Sequence, residues 1–131
     1  MDVLISFDSF ILEPGSPIYA QIVLYVKRGV SAGAMGNGDE LPSRRVLSAL
    51  LGVNPNTVQK AFRILEDEGL VESRSGAKSF LTLTAETAAR VRAELQQSDL
   101  AALVSAVKRS GLKKEEALAL VAALWDGGTE P

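Results

Sequence analysis

At 131 residues, 47% hydrophobic but only 5% aromatic, the chain suits one domain with an appendage, and its core must be mostly Leu, Val, Ile and Ala. The absence of Cys and His excludes disulfides, thiolate or imidazole metal sites, and catalysis by a histidine base or a cysteine nucleophile. The net charge of −2 opposes indiscriminate nucleic-acid binding, yet Arg44, Arg45, Lys60, Arg63, Arg74 and Lys78 fall in one stretch, and local field governs phosphate attraction within about 8 Å.

Residues 1–15 alternate apolar and polar in part, through Val3, Ile5 and Phe7, until Glu13-Pro14-Gly15 breaks any regular element. They are expected to form an arm or short strand on the body. Ser16 suits an N-cap and Pro17 the first position of a helix bearing Ile18, Ile22, Val26 and Val30 at spacing four. Gly33, Gly36 and Gly38 make a flexible connection to Leu41-Pro42. Ser43 caps a second helix bearing Leu47, Leu50 and Leu51, and Gly52-Val53 makes a tight turn. Asn54 caps the third helix, Pro55 opens it, and Val58, Ala61, Phe62 and Leu65 form its buried face before Gly69 ends it. Leu70 to Arg74 and Lys78 to Leu83 pair across Ser75-Gly76-Ala77 as a hairpin. From Thr84 the texture turns Ala- and Leu-rich. One helical segment bends near Ser98-Asp99 and stops at Gly111, and a last helix runs from Lys113 to Trp125.

The fold class is therefore mostly α with a small β-hairpin: a winged helix-turn-helix over residues 16–83, then a short helical dimerisation region over 84–131. Once the third helix has buried its apolar face, Asn56, Thr57, Gln59, Lys60 and Arg63 remain outside. Asn and Gln make bidentate bonds to adenine, and Thr offers thymine a methyl and a hydroxyl. Arg44 and Arg45 open the second helix, where a guanidinium grips phosphate or reaches a guanine edge. Gly76, flanked by Arg74 and Lys78, makes a wing tip thin enough to approach a minor groove. These residues point to double-stranded DNA as the partner. Glu66-Asp67-Glu68 and Glu115-Glu116 read as solvated helix charges, so no enzyme is expected, and no cofactor or metal.

Pro17-Ile18-Tyr19 with Gln21-Ile22, Leu41-Pro42-Ser43-Arg44-Arg45, Leu51-Gly52-Val53-Asn54-Pro55-Asn56-Thr57-Val58 and Glu68-Gly69-Leu70-Val71 together resemble the GntR family of bacterial transcription factors. The Asn54 to Val58 segment and the short tail are similar to its YtrA-like branch. The resemblance covers Pro17 to Phe80. It implies a homodimer on an inverted-repeat operator, touched by Ser43, Arg45 and the segment from Asn54 to Gln59. It also implies repression of a neighbouring transporter operon. Many relatives place Arg where this chain has Pro55 and Gln59, so their guanine-reading pattern does not transfer. The usual Gly-x-Gly-Thr ending of the wing appears as Gly76-Ala77-Lys78-Ser79, which substitutes a phosphate contact from Lys78.

The tail is expected to leave no residues for a ligand pocket of ordinary size, about 300 Å³ or more, so a small-molecule effector is left unknown. Its stripes, Leu100, Leu103, Val104 and Val107, then Leu118, Val121 and Leu124 with Trp125 beside them, suit a helix-helix interface with a second copy. A chain cut before Thr84 is expected to stay folded as a monomer. No apolar run reaches the ~18 residues of a membrane span, and no secretory signal is recognisable, so the cytoplasm is the expected location and no membrane partner is foreseen. The alternative is a winged-helix adaptor that binds protein without DNA. Acidic residues at 44, 45, 60 or 78 would favour it, and all four positions are basic.

Overall fold

The computed structural model describes residues 3–74, 76 and 78–128. Two of the expected hairpin-turn residues, Ser75 and Ala77, lie outside the described residues, as do Met1, Asp2 and residues 129–131. In chain order the elements are α1 (Ile18–Ser31), β1 (Glu40–Leu41), α2 (Arg44–Leu51), α3 (Pro55–Asp67), β2 (Val71–Ser73), β3 (Ser79–Leu81), α4 (Ala85–Arg109) and α5 (Lys114–Ala123), followed by a wide helical turn at Leu124–Gly128. They divide into two compact units, Met1–Leu95 and Gln96–Pro131.

In the first unit α1 packs against α3, and α2 precedes α3 across the expected turn. The turn forms because Gly52 adopts φ 67°, a left-handed conformation that costs an L side chain about 1–2 kcal/mol. The Ser48 hydroxyl then donates to the Val53 carbonyl at 2.6 Å and locks it. At the far end of α3 the Leu70 amide donates to the Leu65 carbonyl at 2.9 Å, with Gly69 in the left-handed cap position. Val58, Ala61, Phe62 and Leu65 are fully buried, as expected, and join Ile22 and Val26 of α1, Leu47 of α2 and Leu81 of β3 in one core. Each of these side chains larger than Ala61 contributes about 1.5–3 kcal/mol.

The sheet has the order β1-β3-β2 and is antiparallel. Val71 pairs with Leu81 and Ser73 with Ser79, and the Arg74 amide extends the ladder to the Lys78 carbonyl at 2.9 Å. β1 is an addition to the expected hairpin. It pairs Glu40 with Phe80 and Leu41 with Ser79, and it also receives the N-terminal arm, whose Ile5 amide donates to the Glu40 carbonyl at 2.7 Å. Ile5 and Phe7 are buried in the same core. Phe7, Phe10 and Tyr25 stack within 4.7–5.8 Å of one another, and Tyr25 donates to the Ser6 carbonyl at 2.7 Å.

Two local expectations are corrected. Pro17, not Ser16, occupies the N-cap of α1, because the Pro17 carbonyl accepts the first helical bond from the Gln21 amide at 3.2 Å. The last regular helix is shorter than Lys113 to Trp125: Asp126 and Gly127 leave helical geometry within the Leu124–Gly128 turn.

The first turns of α4 belong to the first unit. Val91 is fully buried and Leu95 only 8% exposed. Lys27 of α1, with a side chain 12% exposed, lies 2.7 Å from Glu68 and 3.4 Å from Glu94 of α4. Arg90 donates to the Glu68 carbonyl at 2.7 Å. Glu68 immediately follows α3, so one lysine ties the end of α3 to α4.

Candidate nucleic-acid interface

α3 begins with two donors already arranged. The Asn54 carboxamide oxygen accepts from the Asn56 amide at 2.7 Å, and among the described residues the Asn54 amide group has no acceptor, so it remains available to donate. Ser43 does the same for α2: its oxygen accepts from the Val46 amide at 3.1 Å, and its own hydroxyl hydrogen remains for an acceptor such as phosphate. Burial of Val58, Ala61, Phe62 and Leu65 turns the opposite side of α3 to solvent. Asn56, Gln59, Lys60 and Arg63, with Ile64 and Asp67, line a shallow recess of about 400 Å³ along that side. Thr57 is half-buried at its edge.

The basic residues are not equivalent. Arg45, Arg63 and Lys78 are exposed and form no ion pair among the described residues. Lys60 is exposed but holds its ammonium 4.0 Å from the centre of the Tyr19 ring, a contact that steadies the side chain without neutralising it. Arg74 stacks 4.3 Å from the Phe80 ring and lies 4.0 Å from Glu72, and Gly76 is exposed at φ 75°. Arg44 is engaged within the domain. Its guanidinium lies 5.1 Å from the centre of the Phe62 ring and 3.6 Å from the Glu66 carboxylate, and Nη2 donates to the Ser73 hydroxyl at 3.5 Å.

Ser73 in turn donates to Glu66, so α2, α3 and β2 meet at one carboxylate. The expectation that Glu66-Asp67-Glu68 is a solvated run is therefore corrected. Glu66 binds Arg44 and Ser73, Glu68 binds Lys27, and only Asp67 is exposed. Charge-run reasoning missed the pairing because both partners come from other elements. The contribution of Tyr19 was missed for the same reason, although its place beside Ile18 and Ile22 on α1 was a usable signal. Among the described residues no group of carboxylates is placed to hold a metal ion. None of the described helices is long and apolar enough to cross a membrane.

In the second unit Leu100, Leu103, Val104, Leu118, Val121, Leu124 and Trp125 are exposed, and Val107 is half-buried. Contrary to expectation, the stripes do enclose space. Leu100, Leu103, Val104 and Val107 face Leu112, Ala117, Leu118 and Val121 across an open apolar groove of about 480 Å³. The stripes themselves are its walls, which is why counting leftover residues did not reveal it.

The model of the family described as bacterial regulatory proteins, gntR family, matches residues 18–81. The chain is 33% identical over 116 residues to YhcF, an HTH-type transcriptional regulator of Bacillus subtilis, covering 88% of this chain and 96% of that one. It is 42% identical over 78 residues to the HTH-type transcriptional repressor YtrA of the same organism, covering 58% and 60%. Among solved structures, a GntR family transcriptional regulator from Listeria monocytogenes matches with a TM-score of 0.74 at 29% identity, covering 85% of this chain and 97% of the other.

Proposed function

The chain belongs to the gntR family of bacterial regulatory proteins, DNA-binding regulators of transcription with a winged helix-turn-helix, and from that we propose that it is a homodimeric repressor of an inverted-repeat operator. One observation carries the reading: α3 turns Asn56, Gln59, Lys60 and Arg63 to solvent on one side, next to a second helix whose first turn holds Arg45, unpaired among the described residues. The start of α3 enters the major groove, where Asn56, Thr57 and Gln59 meet base edges. Arg45, Lys60, Arg63 and Lys78 hold phosphates on either side, and the hydroxyl of Ser43 and the amide of Asn54 donate to the backbone near the helix starts. Arg74 and Gly76 bring the wing alongside. Arg44 serves mainly to hold α2 against α3 and β2, since it would have to leave Glu66 and Phe62 to reach DNA.

The repressing sign is supported by the likeness to YtrA, and the dimer by the apolar stripes of the second unit, which one chain leaves exposed. The partner operon is a neighbouring transporter operon, and the site of action is the cytoplasm. Footprinting on the chain's own promoter region tests this. Protection of two half-sites about 10 bp apart, retained against random duplex at physiological salt, is the expected result. Protection of one half-site, or no preference over random duplex, overturns it.

A further inference from the structure

α5 leads into the Leu124–Gly128 turn, which carries Trp125, the chain's single tryptophan. The residue is 83% exposed. Asp126 (φ −86°, ψ 24°) and Gly127 (φ 108°) leave helical geometry directly after it, so the indole stands at a helix end. The same unit holds the 480 Å³ groove, walled by Leu100, Leu103, Val104, Val107, Leu118 and Val121 and edged by Lys108 and Lys114. One chain thus carries an unfilled apolar recess and an unburied large aromatic, and Trp125 is not among the groove's own lining.

A two-fold dimer brings one surface against itself, so a knob and a hole on the same unit are each matched twice. We infer that the groove of each protomer receives the partner subunit's Trp125, with the partner's Asp126 reaching the ammonium groups of Lys108 and Lys114. The inference rests on the homodimer proposed above and names the contact that makes it. Three features select a second copy as the occupant. The groove is apolar, and its volume of about 480 Å³ exceeds that of an indole. Its charged edge is basic, while the residue after the tryptophan is acidic. The segment around Gly111 is rich in Lys108, Arg109, Lys113 and Lys114, which favours an antiparallel approach of the Asp126 end.

A lone tryptophan makes the test direct. The full chain is examined by sedimentation and by tryptophan emission with acrylamide quenching across the same concentrations. The expected result is a blue shift and a loss of quenching that follow the dimer fraction. A dimer whose indole still emits and quenches as exposed overturns this contact and leaves the dimer standing. A monomer at every concentration overturns both. Burial that stays constant while the dimer fraction changes shows the indole folding onto its own chain and overturns the contact as well. Trp125→Ala is expected to raise the dimer dissociation constant about tenfold or more, as buried aromatic anchors do. Asp126→Lys should weaken association too, and combining it with Lys108→Glu and Lys114→Glu should restore it. Failure of that restoration overturns the charge pairing.

Discussion

Arg44 and Arg45 are neighbours in the chain, yet α2 points them to different work. Arg44 lies over Phe62 and against Glu66, whereas Arg45 is exposed and unpaired among the described residues. Arg45→Ala is therefore expected to cost about 1–3 kcal/mol of operator binding with unfolding unchanged. Arg44→Ala should instead cost about 1–2 kcal/mol of folding stability, from lost packing on the ring and a carboxylate left with less support. DNA titration and urea unfolding of both variants separate the two roles, and equal behaviour would refute the division. The sequence made both arginines equal candidates, because helix position was legible and partners were not. Glu66 is twenty-two residues from Arg44 by number, and no local pattern announces that they meet.

Among the elements, the helices were legible wherever a cap or a glycine marked them. Asn54 before Pro55, Ser43 before Arg44 and Gly52 at the turn each state their role in a few residues, and each adopts it. Asn54→Ala is expected to lower stability by about 1 kcal/mol, seen as a lower urea midpoint at unchanged slope, because the Asn56 amide loses its acceptor. β1 was not legible. It has two residues, no periodicity, and exists only through pairing with Phe80, Ser79 and the N-terminal arm.

For the whole molecule, the boundary between units changes an expectation about truncation. A chain ending before Thr84 would lose Val91 and Leu95 from the core, and with them Arg90 and Glu94 from the cluster around Glu68. Such a chain is expected to be destabilised by several kcal/mol, at about 2 kcal/mol or more for each large core side chain. A chain ending at Leu95 keeps the entire first unit. It should unfold cooperatively, sediment as a monomer and lose most operator affinity, because two linked half-site contacts become one. Circular dichroism, sedimentation and footprinting of the two lengths check this. Persistence of a dimer in the chain ending at Leu95 would move the interface out of the second unit.

The lysine between α3 and α4 has a consequence in time as well as in space. Lys27 joins Glu68 and Glu94, and Arg90 holds the Glu68 carbonyl, so the end of α3 and the early turns of α4 share their restraints. Segments that share restraints open together, as one cooperative unit of exchange. Amide deuterium uptake in the last turn of α3 and around Arg90 should therefore rise with the same protection and the same dependence on denaturant. Lys27→Met keeps the aliphatic stem and removes the charge, so it should split the two into separate openings, with the turn around Arg90 exchanging first. α3 would then keep its shape but lose its attachment to α4, and the time it spends in one orientation would shorten.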